Sequence, residues 1–184
     1  KNGHVDCRRL VDELKDIHAN TYHWPILAAN DWQDLHEFLP LSRAAGLKVW
    51  VTVLPPSESP PIGKRFSEPF RLDYPRWAEE IARLGLKEPN LAAWSIDDFT
   101  HNLKLYTPGY IANLRAVAHA VNPRLAFVPC CYYEHLALDT ARRYADLFDG
   151  VLFPYRSGSA APNLQDTTRV GAETAKMRGF FGPD

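Results

Sequence analysis

Segments patterned as strands alternate with segments patterned as helices along the whole of this 184-residue chain. The strand candidates are short apolar runs bounded by turn residues, and they lie at Thr21–Ala28, Lys48–Leu54, Leu91–Asp98, Leu125–Tyr133 and Val151–Tyr155. The helix candidates repeat apolar residues three and four positions apart, and they lie at Cys7–Ala19, Asp31–Ala45, Asp73–Leu84, Thr107–Ala120, Leu138–Phe148 and Leu164–Met177. Strict alternation of this kind is typical of a parallel sheet built from right-handed strand–helix–strand units.

The number of strands limits which parallel fold is possible. A closed (β/α)8 TIM barrel needs eight strands and usually about 250 residues. We therefore expect an α/β fold of the (β/α)8 TIM-barrel type that is incomplete, with barrel strands 2–6 present and residues 1–184 forming one partial domain, which further domains or a second chain would complete. The alternative is a complete five-stranded doubly wound domain. Such a domain normally carries a Gly-rich phosphate-binding turn, and neither GxGxxG nor GxxxxGK[ST] occurs in this sequence.

Composition narrows the class of partner. The formal net charge is -1, and the basic residues are dispersed, so there is no electrostatic case for binding nucleic acid or an anionic membrane. No apolar run approaches the length of a membrane span. Aromatic residues make up 12% of the chain, which is compatible with stacking on sugar rings, although most of them are expected in the core.

The cysteines exclude one kind of metal site. Cys7, Cys130 and Cys131 show neither CxxC nor Cys/His zinc-ligand spacing. Because neighbouring residues of a strand point to opposite faces, we expect no disulfide between Cys130 and Cys131. Reduced cysteines are compatible with the cytoplasm, whereas a signal removed ahead of Lys1 would imply a secreted or periplasmic protein.

The apolar run that begins at Leu91 stops abruptly at two adjacent carboxylates, Asp97 and Asp98. Parallel α/β folds bind their ligands at the carboxyl ends of strands, so both residues are candidate site residues. One Asp could instead cap the following helix. Two carboxylates held close together cannot both ionise freely, and one is expected to have a raised pKa and to act as an acid near neutral pH. A protonated acid beside an anion is what glycosidic cleavage needs.

Polar and aromatic side chains also follow the other strand candidates, and such a mixture suits a polyhydroxylated neutral ligand. The candidate substrate-binding residues are Trp24, His101, Asn102, Tyr132, Glu134, Tyr155 and Arg156, and Ser57 and Glu58 follow the run Lys48–Leu54. Each has an alternative role: Trp24 in the core, His101 and Glu134 on the surface, and Arg156 in an ion pair.

The segment Ser95-Ile96-Asp97-Asp98-Phe99, placed after the strand that begins at Gly46-Leu47-Lys48, resembles the barrel of β-N-acetylhexosaminidase-type glycoside hydrolases. The O-GlcNAcase/hyaluronidase-like family (glycoside hydrolase family 84) is closest in style, and the chitinase-like family is more distant. The resemblance implies that Asp97 polarises the substrate's acetamido group, whose oxygen attacks the anomeric carbon. It also implies that Asp98 is the general acid/base.

These observations lead to one expectation and two alternatives. We expect a glycoside hydrolase that uses carboxylate acid/base catalysis on a carbohydrate substrate without a cofactor or metal, in the narrower case by substrate assistance on N-acetylhexosaminides. The first alternative is a hydrolase in which Asp97, Asp98 and Glu134 hold Mg²⁺ or Ca²⁺ through oxygen ligands. The second is a barrel that binds carbohydrate without cleaving it.

Overall fold

The computed structural model describes residues 3–132, 138–156 and 164–181. Helices and strands alternate as predicted through residue 144. The helices are α1 (Cys7–Asp16), α2 (Asp31–Ala44), α3 (Tyr74–Lys87), α4 (Pro108–Val121), α5 (Leu138–Tyr144) and α6 (Val170–Phe181). The strands are β1 (Thr21–Pro25), β2 (Lys48–Val53), β3 (Leu91–Ile96) and β4 (Ala126–Phe127).

Side-chain caps begin the central helices where the sequence predicts. The Asp73 carboxylate accepts a hydrogen bond from the Arg76 amide at the start of α3, and the Thr107 hydroxyl accepts one from the Tyr110 amide at the start of α4. Helix α2 continues through Pro40. Gly46 follows that helix with φ +75°, a left-handed conformation that glycine adopts at little cost.

The four strands form one parallel sheet in the order β1-β2-β3-β4. A doubly wound domain reverses its strand order partway across the sheet, and the strands in the described ranges show no reversal. Right-handed crossovers that progress in one direction place their helices on one face of the sheet. The winding therefore agrees with the barrel-type prediction, although what the described residues form is an open four-stranded sheet.

The region after α4 is less regular than predicted. Within residues 125–132, the described part of the run Leu125–Tyr133, the regular strand is Ala126–Phe127, and Val151–Tyr155 contributes a single parallel bridge between Leu152 and Cys130. Pro129 and Pro154 explain the difference, because neither has an N–H group to donate to a neighbouring strand. Helix α6 also begins at Val170 rather than at Leu164.

The two faces of the sheet carry different side chains. Toward the helices lie apolar residues such as Val49, Val51 and Trp94, each at most 1% exposed. On the other face the His23 ring forms a hydrogen bond with the Thr52 hydroxyl. Alternation continues past β3, so the polar face ends in Asp97. None of the helices in the described ranges has the length and apolar run that a bilayer crossing requires.

Candidate active site

The polypeptide turns sharply where β3 ends. The Asp97 amide still donates to the Val53 carbonyl oxygen at 3.0 Å, as it would in a continuing strand. Asp98 then adopts the left-handed conformation, with φ +43°. Its amide donates to Asp97 Oδ1 at 2.9 Å. Asp is one of the few residues other than glycine that tolerate this backbone conformation, and such strain is often found at functional sites.

Asp97 faces the polar side of the sheet. The Cys130 thiol lies near its carboxylate, and burial, together with the negative charge of Asp97, raises the pKa of that thiol. Burial lowers the pKa of His23 on β1, and the charge of Asp97 opposes that shift. Asp97 is thus close to His23 and to the Cys130 thiol, neither of which is among the site residues predicted from the sequence.

Asp98 has a second set of neighbours. The Tyr132 side chain lies beside the Asp98 carboxylate in the same cleft, and burial is the main cause that raises the pKa of Tyr132. His101 Nδ1 lies 3.5 Å from Asp98 Oδ1, and the His101 ring stacks on the Tyr132 ring with centroids 5.1 Å apart. The Arg156 guanidinium lies 4.9 Å from the centroid of the Tyr132 ring.

Glu58 adds a third carboxyl group to this cluster. It follows β2 in a short 3-10 helix, Pro56–Glu58, and it lines the same cleft as Asp98. Burial and the charges of Asp97 and Asp98 raise the pKa of Glu58, while Arg65 acts in the opposite direction. The carboxyl group with a raised pKa is therefore that of Glu58, which the sequence places after a strand but does not mark as a catalytic residue.

Asn102 joins the two segments that carry these carboxyl groups. Its amide nitrogen donates to the Asp98 carbonyl oxygen and to Ser57 Oγ, both at 2.9 Å. Its amide oxygen accepts from the Ser57 backbone N–H at 3.2 Å. The side chain that the sequence suggests for substrate binding thus fixes Ser57, and with it the adjacent Glu58, relative to Asp98.

An open cleft of about 730 Å³ lies over the cluster. The residues that line it are Glu58, Asp98, His101, Tyr132, Pro154, Tyr155, Arg156 and Leu164. The structure therefore brings together five of the residues proposed from the sequence. Tyr155 also donates a hydrogen bond through its hydroxyl to the Asp166 carbonyl oxygen at 2.6 Å.

Of the other proposed residues that the structure describes, Asp97 and Asn102 contact the cluster without lining the cleft, and Trp24 lies away from it. Trp24 is 3% exposed on the helix-facing side of β1, where it packs on Phe38 and donates its indole N–H to the Asp31 carbonyl oxygen. A ligand in the cleft cannot reach it, so the substrate-contact prediction for Trp24 is corrected to a core role. Glu134 lies outside the described residues.

The site's residues suit proton transfer. Among the described residues, no group of three His, Cys, Asp or Glu side chains is arranged to hold a metal ion. The cluster offers Glu58, whose pKa is raised by burial and by the nearby charges of Asp97 and Asp98, together with those two carboxyl groups at the end of β3. Such an arrangement can both donate a proton and stabilise a positive charge.

Sequence comparison finds no family model that matches this chain and no curated protein similar to it. Solved structures do match. A β-glucuronidase from Bacteroides uniformis superimposes with a TM-score of 0.60 at 14% identity, covering 94% of this chain and 20% of the enzyme. The chain thus spans about a fifth of the length of that protein.

Two endoglucanases also match. The catalytic domain of the major endoglucanase from Xanthomonas campestris gives a TM-score of 0.55 at 11% identity, over 95% of this chain and 76% of that domain. An endoglucanase from Pseudomonas stutzeri gives 0.59 at 14% identity, over 92% of this chain and 61% of the enzyme. These neighbours are TIM-barrel glycoside hydrolases, so the chain has a glycoside-hydrolase-like α/β fold. They do not support the O-GlcNAcase-like or chitinase-like families in particular.

Proposed function

We propose that this protein hydrolyses glycosidic bonds by carboxylate acid/base catalysis at Asp97, Asp98 and the groups around them. The observation that carries the proposal is the cluster of three carboxyl groups, Glu58, Asp97 and Asp98, where β2 and β3 end, in which burial and the two neighbouring charges raise the pKa of Glu58. The cleft above it is lined by tyrosine, histidine and arginine side chains, which can donate hydrogen bonds to sugar hydroxyls. The glycosidase-like fold supports the same reaction class.

The chemistry follows from the needs of the transition state. Cleavage of a glycosidic bond leaves positive charge on the anomeric carbon and negative charge on the departing oxygen. In this proposal Asp97 acts as the anion that stabilises the positive charge, and the proton for the departing oxygen comes from the Asp98 side of the cluster. A positioned acid of this kind accelerates a reaction by about 10²–10⁴-fold.

A narrower form of the proposal concerns the nucleophile. Asp97 and Asp98 are adjacent in sequence, which is an unusual source for the separated acid and nucleophile of a conventional glycosidase. A substrate that supplies its own nucleophile, such as the acetamido oxygen of an N-acetylhexosaminide, needs only one carboxylate to orient that group and one acid. We propose Asp97 for the orienting role.

The test is hydrolysis of a panel of aryl glycosides that includes glucosides, glucuronides and N-acetylglucosaminides. We expect the wild-type protein to release the aryl alcohol from at least one of them. Asp97→Asn should reduce that rate by about 10²-fold or more, whether the leaving group is activated or not. Asp12→Asn, an exposed change on α1, is the matched control and should leave the rate unchanged.

Two outcomes would count against this proposal. Equal rates for wild type and Asp97→Asn would remove Asp97 from the mechanism. Binding of oligosaccharides without any hydrolysis would favour the alternative of a carbohydrate-binding barrel. Preference for N-acetylglucosaminides over the matching glucosides would support the narrower, substrate-assisted form.

A further inference from the structure

We propose that Glu58, rather than Asp98, is the residue that donates the proton to the departing glycosidic oxygen. This inference rests on the proposed function, because it assigns a role within the same site. It differs from what the resemblance to family 84 implies, in which the second Asp of the pair is the acid.

Hydrogen-bond donors surround the Asp98 carboxylate. His101 Nδ1 lies 3.5 Å from Asp98 Oδ1, and the Tyr132 side chain lies beside the same carboxylate. Glu58 lines the same cleft next to Asp98. Where two carboxyl groups lie this close, one keeps its proton more readily, and it is the one with fewer donors around it. The proton of the pair is therefore assigned to Glu58.

The surroundings of Glu58 favour the neutral form. It is desolvated by burial and lies close to the negative charges of both aspartates, and these causes raise its pKa. Arg65 is the positive group that acts against them, and Arg156 lines the same cleft. A carboxyl group that keeps its proton toward neutral pH while it lines a cleft has the property required of a general acid.

The loop that carries Glu58 is tightly held. Besides the Asn102 contacts to Ser57, the Arg65 amide donates to the Glu58 carbonyl oxygen at 3.3 Å. Gly63 packs directly on the same peptide unit, because a Cβ atom at position 63 would stand 1.7 Å from the Glu58 carbonyl oxygen. A donor that must meet a particular oxygen atom of the substrate needs such fixed placement.

The proposed step balances without any further reactant than water. The O–H bond of Glu58 breaks, and its proton bonds to the glycosidic oxygen. The bond between that oxygen and the anomeric carbon breaks, and its electron pair leaves with the oxygen. Water later adds its oxygen to the anomeric carbon and returns a proton to the Glu58 carboxylate, which restores the acid.

Leaving-group dependence tests the assignment. Glu58→Gln should lower the rate by about 10²–10⁴-fold on glycosides with poor leaving groups and spare those with activated aryl leaving groups, which need less protonation. Asp98→Asn should not show that selectivity. Glu68→Gln is the matched control, since Glu68 lies on the same loop but pairs with Arg71 outside the cleft. Selective loss in Asp98→Asn, with Glu58→Gln behaving like wild type, would overturn the assignment.

A second measurement reports the proton directly. NMR titration of the full chain with carboxyl-labelled glutamate should reveal one glutamate that titrates above the usual range, absent in Glu58→Gln and retained in Glu68→Gln. Titration of Glu58 in the usual range would overturn the inference even if the enzyme is active. Absence of hydrolysis by wild type would instead remove the proposed function, and the donor role with it.

Discussion

An asparagine side chain holds each end of strand β3, and the two asparagines have different kinds of partner. At the amino end, the Asn90 amide donates to the carbonyl oxygens of Leu39 and Leu47, at 3.2 and 3.3 Å, and to Ser42 Oγ at 3.0 Å. These partners belong to the last turns of α2 and the entry to β2. At the carboxyl end, Asn102 contacts Ser57 and the Asp98 backbone instead.

The comparison separates stability from function along a single strand. None of Asn90's partners carries an ionisable side chain, and they tie a helix to the sheet. Of the two residues that Asn102 joins, Asp98 lies in the candidate site and Ser57 lies next to Glu58. In barrel-type folds the amino-terminal side of the strands serves stability and the carboxyl-terminal side serves chemistry. Asn90 therefore fixes the core at the amino end of β3, and Asn102 fixes the carboxyl cluster at the carboxyl end.

Of the substitutions compared along β3, one in the middle of the strand should lower the free energy of unfolding most. Trp94 is 1% exposed and packs on Phe127 with ring centroids 4.8 Å apart. Trp94→Ala should lower the free energy of unfolding by about 3–5 kcal/mol through lost burial and the cavity left behind. Urea denaturation measures this loss. If Trp50→Ala, on the partly exposed opposite face of β2, cost as much, the difference between the two faces would be refuted.

At the amino end we expect a loss of stability alone. Asn90→Ala removes three hydrogen bonds to partly buried groups and should cost about 2 kcal/mol. Hydrolysis rates measured well below the unfolding transition should equal those of wild type. A fall in the hydrolysis rate of Asn90→Ala without a matching loss of stability would show that the amino end of β3 also affects catalysis.

At the carboxyl end we expect a large effect on the hydrolysis rate and a smaller effect on stability. Asn102→Ala should cost about 1 kcal/mol of stability, because water can replace part of what is lost at the edge of the cleft. It should lower the hydrolysis rate by up to roughly 10²-fold, because Glu58 and Asp98 lose their common support. The pH–rate profile should shift as well, which a purely structural role would not produce. Equal effects of Asn90→Ala and Asn102→Ala on stability and on the hydrolysis rate would show that the two ends of β3 do not differ in function.

The left-handed conformation of Asp98 predicts a smaller difference. Asp98→Ala should be less stable than Asp98→Gly by roughly 1 kcal/mol, because alanine is penalised at φ +43° and glycine is not. The comparison of the two variants by thermal denaturation cancels the loss of the carboxylate, which both share. Equal stability would show that this turn relaxes when the side chain is removed.

The smallest effect is a pH dependence. Because the pKa of Glu58 is raised on folding, its contribution to stability is full below the usual pKa of glutamate and is lost as the pH rises through the folded value. Glu58→Gln cannot ionise, so it should gain stability over wild type toward neutral pH, and the gain should shrink in acid. Urea denaturation across this range, with Glu68→Gln as control, checks the sign.

Local patterns were sufficient to predict the elements that bury an apolar face. The predicted strands at 48–54 and 91–98 match β2 and β3 to within a residue or two, and Asp73 and Thr107 begin their helices as expected. Side chains alternate along β3, with Trp94 beneath the helices and Asp97 on the polar face. Pattern failed after Phe127, where the apolar composition is that of a strand but Pro129 has no N–H group to donate.

The candidate site was predictable only in part. Asp97 and Asp98 stood out because charge follows directly on an apolar run. Glu58 carries no comparable local signal, since its contact with Asp98 depends on the course of the loop that follows β2. The left-handed backbone of Asp98 and the double role of Asn102 likewise arise from contacts between residues distant in sequence, which periodicity does not encode.

The close packing at Gly63 has a practical consequence for spectroscopy. Its neighbour Ile62 is 76% exposed, so the loop that holds Glu58 has a solvent-facing tip one residue from its tightest contact. The three native thiols are buried, and burial raises the pKa of Cys7 to about 11. A fluorophore attached through Ile62→Cys would therefore label one position selectively and would report on occupancy of the cleft from outside it.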